Sequence, residues 1–250
     1  MDFNGLQTTY WQQQIARVDR VREQIAARLN ITAGRTIPDS SDLAIATGRR
    51  LSVAIMFLDI SGFSNRPAET EEEQATQMAA LNLFFSEMTK IAEDYGGTVE
   101  KNTGDGLMAY FEDGSASSPE NGSHRAVACA LTMFAAGDIL INPILIRSGI
   151  DQIRFRVCID HGNVTIAKLG APRRFNAIVA IGTTANLASK MLSVAKSGEV
   201  LLGENVKKAL PVDWQTSWTS LHTYKTGWVY RSTNLPYSFY LYNGRWSRLI

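Results

Sequence analysis

Cysteine is scarce in this chain. Among 250 residues only Cys129 and Cys158 occur, both with apolar neighbours. That excludes a disulfide-stapled secreted scaffold and predicts two reduced thiols filling the core of a cytoplasmic protein. An excess of one charge is also missing, since 25 basic residues against 24 acidic ones leave a formal net charge of +1. No global basic field is present to hold a nucleic acid. The three histidines, His124, His161 and His222, lie too far apart for metal-ligand spacing. No stretch reaches the ~18 uncharged apolar residues of a membrane helix. The longest candidate, around 126–145, is expected to break at Gly137, Asp138 and Pro143. There is no basic-then-apolar signal segment at the N-terminus, no internal repeat and no low-complexity tract. Neither a membrane nor a nucleic acid is therefore an expected partner.

What the chain does have is strong apolar periodicity. Trp11, Ile15, Val18, Val21, Ile25 and Leu29 recur at spacings of three and four, which predicts an amphipathic helix over 7–30. A connector over 32–41 follows, then an almost wholly apolar run over 51–60 that reads as a buried strand. Helical period returns over 71–95, with acids in the first turn and Gly96-Gly97 at the end. Strands over 98–101 and 107–111 flank Gly104-Asp105-Gly106, a hairpin signal. A second helix is predicted over 126–141. Strands over 153–159 and 164–169 are predicted to form a second hairpin about His161-Gly162-Asn163. A third helix over 184–194, a short strand over 199–202 and a short helix to Leu210 follow. The aromatic tail from Trp214 reads as edge strands, with its tryptophans packing rather than stacking on bases. This order predicts an α+β fold, a split βαββαβ (ferredoxin-like) sheet with helices on one face, plus the N-terminal helix. The expected partition is a helix and connector over 1–48 and one domain over 49–250.

Two acidic segments carry the chemistry. The first is Phe57-Leu58-Asp59-Ile60-Ser61-Gly62-Phe63; the second runs from Glu100 through Lys101 and Gly104-Asp105-Gly106 to Ala109. Asp59 closes the first strand, and Gly62 lets the backbone turn tightly after it. The amides of 60–64 are candidates to face phosphate oxygens. Asp105 sits in the hairpin turn. In a split sheet the first strand and this hairpin are neighbours, so the two carboxylates can meet. A pair of carboxylates can hold divalent ions on a triphosphate. Singly, each aspartate reads more simply as a turn residue; together, in this order and with these flanks, they do not.

These segments resemble the metal-binding motifs of class III nucleotidyl cyclases, which run Phe-x-Asp-Ile-x-Gly-Phe and then Lys-x-x-Gly-Asp-Gly-x-Met-Ala-x-Phe. The resemblance continues in the apolar strand over 157–162 and in the run from Gly182 through Asn186 to Met191, and it covers about residues 51–243. It implies two divalent cations, Mn²⁺ or Mg²⁺, on Asp59, Asp105 and the carbonyl of Ile60, with Ile60, Gly62 and Phe63 around the nucleotide. It implies a homodimer with active sites at the interface, where one protomer gives the aspartates and the other Lys101, Asn186 and Lys190. Asn186 would orient the ribose. Lys190 stands where the family has a transition-state arginine, keeping the charge and losing the planar fork. Lys225, or else Arg231, would supply a phosphate-binding cation.

The same resemblance implies that the base would be read by Lys101 and by the position three residues before Gly182, which is Val179. Valine offers an adenine amino group no partner, and lysine, a donor only, suits a uracil carbonyl. As a whole the chain is similar to the pyrimidine cyclases of Pycsar anti-phage defence. UTP is the favoured nucleoside triphosphate, CTP is next and ATP stays open. Two other readings are a catalytically silent nucleotide-sensing dimerisation module and a diguanylate cyclase. Retention of Asp59, Asp105, Asn186 and a cation at 190 argues against the first. Thr103-Gly104-Asp105-Gly106 does not match the acidic hairpin of the second.

Overall fold

The computed structural model describes residues 8–38, 41–102, 104–114, 121–170, 176–222 and 226–246. In chain order the elements are α1 (Thr8–Arg28), β1 (Asn30–Ala33), β2 (Thr47–Ile60), a short 3₁₀ turn (Phe63–Asn65), α2 (Glu71–Asp94), β3 (Thr98–Asn102) and β4 (Gly106–Glu112). Then come α3 (Gly122–Ala136), a π turn (Gly137–Ile141), α4 (Asn142–Arg147), β5 (Phe155–Gly170), β6 (Asn176–Ile181) and α5 (Thr183–Met191). The chain ends with β7 (Val200–Gly203), α6 (Glu204–Ala209), α7 (Val212–Ser217), β8 (Thr219–Leu221) and β9 (Phe239–Tyr242). Two compact units form: Met1–Arg50 with Thr165–Ile181, and Leu51–Val164 with Gly182–Ile250.

The larger unit is built on a sheet of order β3-β4-β2-β5-β7-β9-β8. β2 and β4 are antiparallel and β5 and β7 parallel. Alternation along the central strands sends Met56, Leu58, Val157, Ile159, Val200 and Leu202 to one face, where they meet Phe84 and Met88 of α2 and Val127 and Leu131 of α3. Phe155 stacks on Phe134 with ring centroids 4.4 Å apart. The residues between them, Cys158 and Leu201, turn to the other face against Leu187 and Met191 of α5. The α+β split-sheet class is borne out, and α5 adds cover on the second face. Both cysteines are free and buried, and burial pushes each thiol well above its usual value.

α2 starts where its sequence says it should. The Thr70 hydroxyl accepts from the Glu73 amide at 3.2 Å, and the Glu73 carboxylate accepts from the Thr70 amide at 2.9 Å, a reciprocal capping box.

Three expectations are corrected. The helical run over 122–147 is not broken at Gly137, Asp138 and Pro143. A π turn opens the hydrogen-bond ladder just ahead of Pro143, which then sits in the first turn of α4, where its missing N–H is harmless. Among the described residues this run is the one helix long and apolar enough to cross a membrane, at mean hydropathy 1.8, with 56% of that window buried within the protein. Second, there is no hairpin at His161-Gly162-Asn163. β5 runs straight through it, pairing with β7 over Val157–Ile159, and it is the later pair β5–β6 that turns back. Gly162 serves close packing instead, because a Cβ there would meet the Thr184 hydroxyl at 2.6 Å. Third, of the two strands in the tail β9 is interior, between β7 and β8, and β8 is the edge.

The smaller unit joins α1 to two strand pairings. β1 runs parallel to the start of β2, Asn30 beside Thr47 through Ala33 beside Arg50. β6 runs antiparallel to the end of β5, Thr165 beside Ile181 through Gly170 beside Asn176. The amide of Ala46 bonds the carbonyl of Lys168 at 3.1 Å, tying the two pairings together.

Candidate active site

The register of β2 on β4 sets Asp59 opposite Gly106, so the next residue back along the turn is Asp105. The amide of Ile60 then donates to the Asp105 carbonyl at 2.8 Å. The backbones of the two aspartates are thereby held next to one another at one end of the sheet. The hairpin turn reaches this geometry through Gly104 at φ 93°, a left-handed conformation that a side chain would strain. Gly62 does the same for the loop after Asp59, at φ 70°, with open space where a Cβ would stand.

That loop is pinned from below. The Ser61 amide donates to the Arg154 carbonyl at 2.8 Å, and the Arg66 guanidinium donates to the Gln152 carbonyl at 2.7 Å. Two of the five amides expected to face phosphate, those of Ile60 and Ser61, are thus taken up by the sheet. Phe63 packs its ring against the core. A polar cavity of about 560 Å³ opens beside the loop, lined by Ser61, Gly62, Asn65, Arg66, Asp151 and Gln152.

A cation already sits on Asp59. Arg156 of β5 donates to Asp59 Oδ2 from Nε at 2.9 Å and from Nη2 at 2.6 Å, while its Nη1 donates to the carbonyl of Ala195 at 3.0 Å. The pair is only part exposed, 20% for the carboxylate and 29% for the guanidinium, so water screens it less than a surface bridge. Sequence reasoning missed Arg156 and Arg66. The signal for Arg156 was a lone charge inside the apolar run Phe155–Ile159.

Among the described residues no group of three or more His, Cys, Asp or Glu side chains is gathered, so no all-protein metal cage exists there. A carboxylate that already attracts a guanidinium, with a second aspartate next to it along the backbone, fits hard divalent cations whose remaining ligands are phosphate oxygens and water.

Asn186 and Lys190 lie one turn apart on the exposed face of α5. Among the described residues neither side chain bonds or ion-pairs with Asp59 or Asp105. Val179 lies on β6 opposite Ala167, half-buried. Lys101 pairs with Met108 in the β3–β4 ladder, and its side chain lies outside the described residues, as does all of Lys225. Arg231 is exposed beside Tyr230 on a separate cavity of about 550 Å³ lined by Asp160, His161 and Thr184. His161, expected in a turn, lies mid-strand with Nε2 2.8 Å from Asp113 Oδ2. Partial burial pushes the Asp113 carboxyl up, but the bond and charge of His161, together with bonds from Ser52 and the Gly122 amide, bring the group below its usual value. His124 and His222 meet the rings of Trp214 and Phe239, and Trp228 lies against Phe239, so these aromatics pack as expected.

Comparison with known proteins agrees with this geometry. Residues 45–226 match the adenylate and guanylate cyclase catalytic domain. An adenylate cyclase of Anabaena cylindrica is 26% identical over 69% of this chain, which spans about one third (33%) of that protein's length. A uridylate cyclase of Rhodovulum sp. (strain MB263) is 23% identical over 73% of both chains. The crystal structure of the adenylyl cyclase CyaB from P. aeruginosa superposes with a TM-score of 0.64 at 25% identity, covering 81% of this chain and 98% of that one. With the split sheet and the match over 45–226 in agreement, the chain belongs to the adenylate and guanylate cyclase catalytic domain family, the class III cyclases.

Proposed function

We propose that the chain cyclises UTP to 3′,5′-cyclic UMP and pyrophosphate. The observation that supports this chemistry is the β2–β4 register, which holds the backbones of Asp59 and Asp105 next to one another. The two carboxylates and the carbonyl of Ile60 would hold two Mn²⁺ or Mg²⁺ ions. When bound, such ions make the ribose 3′-hydroxyl more acidic and neutralise the triphosphate. The 3′-oxygen attacks the α-phosphorus in line, the bond to the bridging oxygen breaks and pyrophosphate leaves.

The chain's own groups do the rest. Arg156 covers Asp59 in the absence of metal; once the carboxylate is taken, the guanidinium remains tethered through Ala195 as a positive charge for phosphate oxygens. Gly62 and Phe63 shape the loop beside the nucleotide, Asn186 orients the ribose, and Lys190 and Lys225 lend positive charge. In a homodimer the aspartates come from one protomer and Lys101, Asn186 and Lys190 from the other. The exposed position of Asn186 and Lys190, without a bond to the aspartates of their own chain, supports that arrangement.

Uracil is supported by the similarity to the Rhodovulum uridylate cyclase over most of both chains and by Val179, which gives an adenine amino group no acceptor. The product would then be a second messenger in Pycsar-type anti-phage defence. ATP is the second reading, favoured by the 26% identity to the Anabaena adenylate cyclase. A buried unpaired donor costs roughly 1–3 kcal/mol, so kcat/KM for UTP should exceed that for ATP by about five- to a hundredfold. Steady-state rates with each nucleotide and Mn²⁺, products separated by chromatography, measure the ratio. An ATP value equal to or above that for UTP overturns the uridylate assignment.

A further inference from the structure

The apolar stripe of α1 is not covered by its own unit. Trp11, Ile15, Val18, Ile25 and Leu29 each remain between 43% and 66% exposed. With Arg22 they occupy positions 11, 15, 18, 22, 25 and 29, an alternation of four and three that matches the seam of a two-stranded coiled coil, while Val21, 51% exposed, flanks that seam on the side of an apolar groove. The spacing reads the same in both directions. A second copy laid antiparallel therefore matches it layer for layer, Leu29 on Trp11, Ile25 on Ile15 and Arg22 on Val18.

Charge selects that direction. In a parallel, in-register pair Arg22 would meet Arg22 in the core of the seam. In the antiparallel pair each Arg22 lies over an aliphatic Val18. It also lies within reach of Asp19 on both helices, extending the Asp19–Arg22 pair already present at 3.5 Å within one chain. An apolar groove adds to the match. A cavity of about 270 Å³ opens along the last two turns of α1, lined by Ile25, Leu29, Ile31, Thr165, Leu169 and Ile181. In the antiparallel register the large side chain arriving at Leu29 is Trp11 of the second copy.

We propose that α1 is a self-association element through which two copies of the chain pair antiparallel about Val18 and Arg22, with Trp11 of each closing over the apolar groove of the other. The contact is isologous and distinct from one that shares catalytic residues. Nothing in it depends on which nucleotide is used.

Cysteine cross-linking of the full chain tests it. Val18→Cys and Arg22→Cys are made separately, with different tags; Cys129 and Cys158 are buried and do not compete. Each variant is shown to expose one reactive thiol, and the two are mixed in equal amounts, allowed to exchange and oxidised mildly. The antiparallel seam predicts a disulfide between the two different variants, joining up to about half of the chains by random pairing, and little cross-linking in either variant alone. Same-variant disulfides would mean a parallel seam. Absence of any disulfide while both thiols react freely would mean that another partner, or none, covers the stripe. Either result overturns the proposal.

Discussion

Arg156 touches three things that matter: the Asp59 carboxylate, the carbonyl of Ala195 and, through its own strand, the core. A guanidinium in this place keeps Asp59 from being an uncompensated, partly buried charge when no metal is bound. Asp160, four residues further along β5, has no such compensation. It is 4% exposed, and a Cβ at Gly203 would run into its carboxylate and the Tyr237 hydroxyl. Burial pushes it up to about 7, against the smaller lowering effects of the His161 amide, the Tyr237 hydroxyl and the His161 charge. An acid whose pKa is raised on folding binds its proton more tightly in the native state. Its contribution therefore makes stability fall as pH rises from about 4 to about 7, and it levels off above that. Asp160→Asn removes the ionisation. At pH 8 the variant should be more stable than wild type by on the order of a few kcal/mol, and so melt at a higher temperature, and the gap should shrink steadily toward pH 4. Thermal melts across that range measure it; a gap that does not change with pH contradicts the assignment.

At the scale of elements, local chemistry and long-range pairing divide the work. α2 is written locally: Thr70, Glu73 and the two glycines after Tyr95 start and stop it, and the acids of its first turn and those glycines were read from the sequence for that reason, while the Thr70–Glu73 box was not singled out. Thr70→Ala should cost about 1 kcal/mol and lower the melting temperature by a few degrees, with cyclase activity nearly unchanged, since the cap lies on a surface turn. A loss nearer to zero would show that the Glu73 side chain alone caps the helix. The Gly104-Asp105-Gly106 hairpin was equally readable, because glycine is what its positive φ requires. β5 was not. His161-Gly162-Asn163 has the composition of a turn, yet Gly162 is there for Thr184 and His161 for Asp113. The strand is held straight by β7 and β6, which are distant in sequence. The π turn ahead of Pro143 is a similar case: proline signals a break, and one wider turn absorbs it.

On the scale of the whole molecule, the smaller unit joins Met1–Arg50 to Thr165–Ile181, two stretches that no local pattern connects. Its strand pairings went unread, while the stripe of α1, set by spacing alone, was plain. Asp59 and Asp105 were singled out because two short motifs had to meet in a split sheet, and β2 on β4 sets their backbones next to one another. Arg156 was missed because its partner lies on a different strand. The most direct test of the central claim, that Asp59 and Asp105 are the metal-holding pair of a nucleotidyl cyclase, is cyclic nucleotide formation from each of the four nucleoside triphosphates with Mn²⁺. Wild type, Asp59→Asn and Asp105→Asn are compared, with thermal melts of the same samples. The account predicts a cyclic product and pyrophosphate from wild type, cooperative melting of all three proteins, and a loss of at least ~10²-fold in both variants. Near-normal turnover by either folded variant, on any of the four nucleotides, would contradict it.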